Sequence, residues 1–261
     1  MKVTFLGVGS AFSKKNGNSN LLIESGNIKL LVDFSLLCSK ALVTYGLSLK
    51  DITHIFISHL HADHVSGLEE VAFMTRLVYR CKPALLSTAS LLERTWATNL
   101  RGGLEFIEER PGELDPQTLG DFFTVMPLQP ETWITLGTDP GLRIHLHPTN
   151  HVMGMESYGL EVEELPGGFA KRFFFSSDTK YAPDLIAHGA KTCSTLFHDC
   201  QLFDSGENNV MGVHTSYTQL LQVPAEIRRR MWLYHYGDSE LPDATGDGFA
   251  GFVEQLQSFN F

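Results

Sequence analysis

Short blocks of apolar residues, bounded by glycine, asparagine and serine, fill the first third of the chain. "KVTFLG" (2–7), "LLIES" (21–25) and "IKLLVDF" (28–34) read as strands. The polar stretch "GSAFSKKNGNSN" (9–20) reads as a loop, and Gly26-Asn27 as a hairpin turn. Residues 35–46 read as a helix, "DITHIFIS" (51–58) as a largely buried strand, and "GLEEVAFMTRLVYR" (67–80) carries apolar positions at helical intervals. "PALLSTA" (83–89) then reads as a strand, "SLLERTWATNLRG" (90–102) as a helix, and the Pro, Gly and acid-rich "EERPGELDPQTLGD" (108–121) as a loop. The role of residues 82–130 is not legible from this pattern. Strands return in "LRIHLHPT" (142–149), "ESYGLEVEE" (156–164) and "KRFFFSSD" (171–178), followed by a helix near "YAPDLIAHGA" (181–190) and a strand in "STLFHDC" (194–200). The end of the chain predicts a helix near "SYTQLLQ" (216–222), a strand in "MWLYHYG" (231–237) and a last helix near "GFAGFVEQLQSF" (248–259). Two strand-rich halves with interspersed helices fit two sheets packed face to face with helices outside.

Composition narrows this picture. A chain of 261 residues can bury a substantial core, and with no repeat or linker in view it is expected to form one domain, 1–261. Twenty basic residues against thirty acidic ones give a formal charge of −10, which disfavours a general electrostatic grip on large nucleic acid. Cys38, Cys81, Cys193 and Cys200 show no metal or redox spacing and read as reduced, so a cytoplasmic protein is expected. No apolar stretch is long enough to span a bilayer.

The chemistry begins at "ISHLHADHVSG" (57–67). His59, His61, Asp63 and His64 follow directly on an apolar run, and desolvating such groups unpaired costs several kcal/mol. In an extended stretch alternate side chains share a face, so His59, His61 and Asp63 are expected to point one way, with His64 at the start of a helix. Divalent metal compensates such a cluster well. His151, Asp178 and His235 each stand at the end of a later strand-like run, and the seven side chains together suit two metals. His54, His145, His147 and His188 read as ordinary strand or helix histidines.

On these motifs the chain resembles the metallo-β-lactamase superfamily along nearly its whole length. "KVTFLGVGSAF", "LLVDF", H-x-H-x-D-H and the later His, Asp and His occur in that family's order. The resemblance implies an α/β (α+β) fold, a four-layer αββα sandwich with a dinuclear metal site at one edge. It implies that His59, His61 and His151 hold one metal, that Asp63, His64 and His235 hold the other, and that Asp178 bridges them. The chain departs from the family at Ser177, where glycine is common, and in "DFSLL", which lacks the usual glycine. Zinc is the first expectation, with manganese, cobalt or iron suited to the same ligands. Two such ions generate a hydroxide nucleophile near neutral pH and polarise a substrate oxygen, so the expected reaction is hydrolysis, with Asp63 and Asp178 orienting the nucleophile while ligating.

"HDCQ" (198–201) and "HTS" (214–216) resemble segments of the superfamily's phosphodiesterase branch, to which ribonuclease Z belongs. That likeness implies that His214 contacts phosphate or protonates the leaving oxygen and that Asp199 fixes its tautomer. The alternative reading of this stretch is a Thr215 or Ser216 helix cap beside a loop histidine. The transfer-RNA-binding arm of ribonuclease Z does not fit in the 26 residues between His151 and Asp178. A small phosphodiester is therefore the expected partner, and the branch includes phage-related enzymes that destroy cyclic mononucleotide immune signals. Phe173, Phe174 and Phe175, or the 9–20 loop, are positions that could hold a base, with core packing the default for the three phenylalanines. "RRR" (228–230) could meet phosphate or simply end a helix. Rival functions are a ribonuclease Z-type endoribonuclease, a lactone, thioester or β-lactam hydrolase, and a non-catalytic metal-binding sensor. Relatives in the branch imply a homodimer.

Overall fold

A computed structural model describes residues 1–110, 112–138, 140–202 and 212–261; Pro111 in the acid-rich segment and 203–211 in the stretch between Asp199 and His214 lie outside the described residues. Sixteen strands run in chain order among them: β1 (Lys2–Gly7), β2 (Asn20–Ser25), β3 (Ile28–Val32), β4 (His54–Phe56), β5 (Ala84–Thr88), β6 (Phe106–Arg110), β7 (Glu113–Pro116), β8 (Thr124–Leu128), β9 (Trp133–Leu136), β10 (Leu142–Pro148), β11 (Tyr158–Glu164), β12 (Arg172–Phe175), β13 (Thr195–Asp199), β14 (Met231–Tyr234), β15 (Gly251–Phe252) and β16 (Ser258–Asn260). They form a seven-stranded sheet of order β16-β1-β2-β3-β4-β5-β8, a second of order β15-β14-β13-β12-β11-β10-β9, and the separate hairpin β6-β7.

Three hydrophobic clusters separate four layers. In the middle cluster, Val3, Phe5, Leu21, Ile23, Leu30 and Val32 of the first sheet meet Ile144, Leu160, Val162, Phe173, Phe175 and Phe197 of the second. Leu22, Leu31, Ile55 and Leu85 point the other way, under the helices Cys38–Tyr45 and Leu68–Phe73. Phe174, Leu196 and Leu233 do the same in the second sheet, under the helix Pro183–Thr192. A sheet covered on both faces needs apolar residues at every position, which is why "RFFF" is a continuous run with all three phenylalanines in the core. The expected αββα sandwich is the fold.

Several local expectations are corrected. The last helix near 248–259 is instead β15, a turn and the edge strand β16, which pairs antiparallel with β1. Its apolar residues fit either period over so short a stretch, and pairing with an open sheet edge decides for strand. The segment 108–121 holds most of the β6-β7 hairpin and the one-turn helix Leu119–Phe122, whose Thr118 and Asp121 make a capping box. "DITHIFIS" is extended only at β4, because a 3₁₀ turn occupies Leu49–Asp51. The helix at 35–46 spans Cys38–Tyr45, and the one near 216–222 only Tyr217–Leu220. The Gly26-Asn27 hairpin holds: Ser25 pairs with Ile28, and Gly26 has φ +53° with Pro140 O only 2.6 Å from where a Cβ would sit. Among the described residues, the four cysteines are free and no helix is long and apolar enough to cross a membrane.

Candidate metal centre

β3 and β4 run parallel in the first sheet, as do β12, β13 and β14 in the second, and all five end at one edge of the sandwich. Asp33 follows β3, His59 follows β4, Asp178 follows β12, Asp199 closes β13 and His235 follows β14. Hydrogen bonds from His235 N to Val8 O (2.7 Å) and from Tyr158 N to Ser58 O (3.1 Å) tie the loops of the two sheets together there.

The expected seven side chains converge. His59 Nε2 lies 3.1 Å from His61 Nδ1, which lies 3.0 Å from His151 Nε2. Asp178 Oδ2 is 3.8 Å from both His59 Nε2 and His151 Nε2. On its other side Asp178 Oδ2 is 3.3 Å from His64 Nε2, which is 3.3 Å from Asp63 Oδ2, and Asp178 Oδ1 is 3.4 Å from His235 Nδ1. His59, His61, His151 and Asp178 form one group able to hold a metal ion; Asp63, His64, Asp178 and His235 form another. Strand alternation does not explain this division. β4 ends at Phe56, His61 precedes the helix Ala62–Val65, and Asp63 sits inside that helix, so Asp63 faces His64's group and not that of His59 and His61. The helical turn between His61 and His64 separates the two pairs.

Hydrogen bonds decide which nitrogens are bare. His64 Nδ1 lies 2.7 Å from Asp33 Oδ2; a carboxylate only accepts, so Nδ1 carries a proton and Nε2 is the nitrogen turned toward Asp63 and Asp178. Ser58 Oγ donates to Asp33 Oδ2 (2.7 Å) and so accepts from His59 Nδ1 at 3.0 Å, which bares His59 Nε2. His151 Nδ1 donates to Val213 O at 2.8 Å, which bares His151 Nε2. His61 Nδ1 therefore faces two lone pairs, and one proton cannot satisfy three converging nitrogens. His64 Nε2 and Asp178 Oδ1 are buried with no hydrogen-bond partner. A cation satisfies every one of these atoms, so the donor set fits divalent metal.

The charges agree. Burial, then the neighbouring His64, holds His59 well below its usual pKa, which keeps it neutral. Burial works against the charged form of His64, but the carboxylates of Asp63, Asp178 and Asp33 lift it well above the usual value. Burial likewise opposes Asp63 and Asp178, yet His64 brings Asp63 down to about 2, and His235 and His64 hold Asp178 well below the carboxylate range. Positive charge is what this pocket is built to receive.

Asp33 escaped the sequence reading as a functional residue, although its place at the end of "LLVDF" is the same strand-end signal. Its φ is +61°, and Ser177 (+52°) and His235 (+67°) share that left-handed conformation. Such backbone costs of order 1–3 kcal/mol in a non-glycine residue, so local strain gathers around the cluster. It also explains the departure at Ser177: the position favours glycine, and serine occupies it under strain. Exchanging Asp33 for asparagine keeps the shape but loses the charge that orients His64. Metal titration is expected to find affinity lowered by about 10–100-fold; unchanged affinity would contradict the role.

His214 joins the cluster from the loop before the helix Tyr217–Leu220. Its Nδ1 donates to Asp199 Oδ2 at 2.9 Å and lies 3.9 Å from Asp178 Oδ2, and its ring stacks on His235 at 4.7 Å. Asp199 is fully buried and also accepts from Thr179 N at 3.0 Å, which aims the carboxylate. Burial lowers the pKa of His214, but Asp199 more than offsets this and raises it to about 9. The helix cap is present as well, supplied by the Ser216 and Gln219 capping box, so the segment carries both a cap and a histidine that faces the cluster.

These groups open on a pocket of about 510 Å³ whose lining includes Asp63, Asp178, His214 and His235, with Phe12 and Val152 on it as well. Phe12 is 73 % exposed. Two arginines of "RRR" serve structure: Arg228 donates to Val223 O and Arg230 to Ala190 O and Cys193 O.

The model of the family described as "Anti-Pycsar protein Apyc1" matches residues 1–259. The chain belongs to this anti-Pycsar family. An Apyc1 protein of Paenibacillus harenae is 39 % identical over 241 residues, covering 92 % of this chain and 91 % of its own. Among solved structures, the metallo-β-lactamase fold protein YhfI of Bacillus subtilis aligns with a TM-score of 0.74 at 17 % identity, covering 99 % and 98 % of the two chains. Human tRNase Z, short form, aligns with a TM-score of 0.69 at 22 % identity, covering 100 % and 99 %. The anti-Pycsar chain thus has the metallo-β-lactamase fold that its motifs led one to expect.

Proposed function

We propose that this chain is a dinuclear metal-dependent phosphodiesterase, one hydrolase domain over 1–261, acting on a small phosphodiester of the cyclic nucleotide class. The observation that carries the reading is the His214 and Asp199 pair, set in the same pocket as the two overlapping ligand groups. When bound, the metal pair, zinc in first place, supplies a nucleophile at neutral pH and neutralises charge on the substrate oxygens. His59, His61, His151 and Asp178 would hold one ion, and Asp63, His64, His235 and Asp178 the other. Asp199 keeps the proton of His214 on Nδ1 in the resting pair, which points the other nitrogen away from the carboxylate and toward the pocket. There His214 contacts the phosphate and gives a proton to the leaving oxygen. Asp63, a carboxylate at neutral pH, orients the nucleophile.

A lactone or β-lactam hydrolase needs no such second acid, and a non-catalytic sensor needs neither acid nor pocket. For ribonuclease Z, the residues between His151 and Asp178 are taken up by β11, a turn and β12, with no protruding arm. A pocket of about 510 Å³ suits a nucleotide. Phe12 of the 9–20 loop is the exposed aromatic ring on its lining, placed to stack on a base. The family description supports the same substrate class, and the reading extends to a cytoplasmic homodimer.

The test is a hydrolysis panel of cyclic mononucleotides, cyclic dinucleotides, precursor transfer RNA and lactones with zinc-loaded protein. Cyclic nucleotides are expected to turn over fastest. Phe12→Ala is expected to raise KM for them by roughly 5-fold or more, the worth of about 1 kcal/mol of base stacking. Preferred cleavage of transfer RNA or of lactones would overturn the substrate assignment.

A further inference from the structure

A second group of ligand atoms lies on the outer face of the second sheet. Along β10, Leu142, Ile144 and Leu146 point into the middle core, so Arg143, His145 and His147 point outward. Glu161 of β11 pairs directly with His145 on that face, and His188 reaches it from the helix Pro183–Thr192. His147 Nε2 and His188 Nε2 each lie 3.3 Å from the same oxygen, Glu161 Oε2, and His145 Nδ1 lies 3.1 Å from His147 Nε2. His147 and Glu161 are buried, whereas the His188 side chain is 45 % exposed and keeps the group open to solvent.

The distances discriminate between two explanations. Charge-assisted N–H···O bonds run at about 2.7–2.9 Å, so the two 3.3 Å contacts to Glu161 Oε2 are long for hydrogen bonds of that kind. Two ligands on one tetrahedral zinc, each at about 2.0–2.1 Å, stand ~3.3 Å apart. The neighbouring Glu163 shows what a true ion pair looks like on this face, with Arg172 Nη2 at 2.7 Å. The Arg172 contact to Glu161, at 3.2 Å, falls on Oε1 and leaves Oε2 to the histidines. Close pairs of imidazole nitrogens, and imidazole nitrogens 3.3 Å from a carboxylate oxygen, also mark the catalytic cluster. The same signature recurs here.

We propose that His147, Glu161 and His188 form a zinc site separate from the catalytic centre, with His145 beside the open fourth position. Two histidines and one carboxylate are a zinc-binding set. An ion there cross-links β10, β11 and the helix that follows the Asp178 loop, and stabilises the folded chain by mass action.

The experiment uses full-length protein stripped by chelator, reloaded with zinc and freed of excess metal. His188→Ala, on an exposed helix position, is expected to lower zinc content by about one ion per chain relative to the unaltered protein, with hydrolysis retained. His147→Gln is expected to give the same deficit. Crystals of the unaltered protein are expected to show anomalous scattering at the zinc edge between His147, Glu161 and His188. Equal zinc content in all three proteins, or no anomalous peak at this position, would overturn the site. Neither readout depends on the substrate or on turnover at the catalytic centre.

Discussion

Asp178→Asn is expected to abolish hydrolysis, on the order of 10⁴-fold or more, because the activated nucleophile depends on the paired metals. Asp178 belongs to both ligand groups, the one around His59 and the one around His64. One carboxylate faces His59, His64 and His151 through Oδ2 and His235 through Oδ1. Asparagine preserves the size and removes the charge, and its amide nitrogen turns a donor toward bare imidazole nitrogens that need a cation. The metal content of the purified variant is therefore expected to fall with its turnover. An Asp178→Asn protein that retains the metal content of the unaltered protein and full activity would dismantle the assignment of the whole cluster.

His214→Ala is expected to lower kcat on a cyclic nucleotide by about 10²–10⁴-fold, the usual range for a positioned acid or base. In contrast to Asp178→Asn, metal content is expected to stay at the level of the unaltered protein, since the imidazole is anchored to Asp199 and takes no place in either four-residue group around His59 or His64. Asp199→Asn is expected to be milder: the ring remains, but the amide no longer demands a proton on Nδ1. Wild-type turnover by His214→Ala would favour a hydrolase that needs no second acid, of the lactone or thioester kind.

What the chain's order of residues determined by itself was the set of candidate ligand side chains and the alternation of layers. H-x-H-x-D-H is dense enough that ordinary packing cannot satisfy it, and runs such as "RFFF" announce strands buried on both faces. Each of the later groups, His151, Asp178 and His235, stands at a strand end, and parallel strands in one sandwich end at one edge. Short segments with weak periodicity were a different matter. "GFAGFVEQLQSF" carries apolar residues compatible with a helix, and only the free edge beside β1 made part of it a strand. Tertiary structure alone also divided the ligands into two groups, through a helical turn that breaks the alternation between His61 and Asp63. It brought Asp33, Ser58 and the Val213 carbonyl onto the far nitrogens of the histidines, and it gathered His147, Glu161 and His188 on one outer face. The reason is physical: local pattern governs which side of an element a residue faces, whereas hydrogen-bond partners and metal polyhedra depend on distances between segments far apart in the chain, which only packing sets.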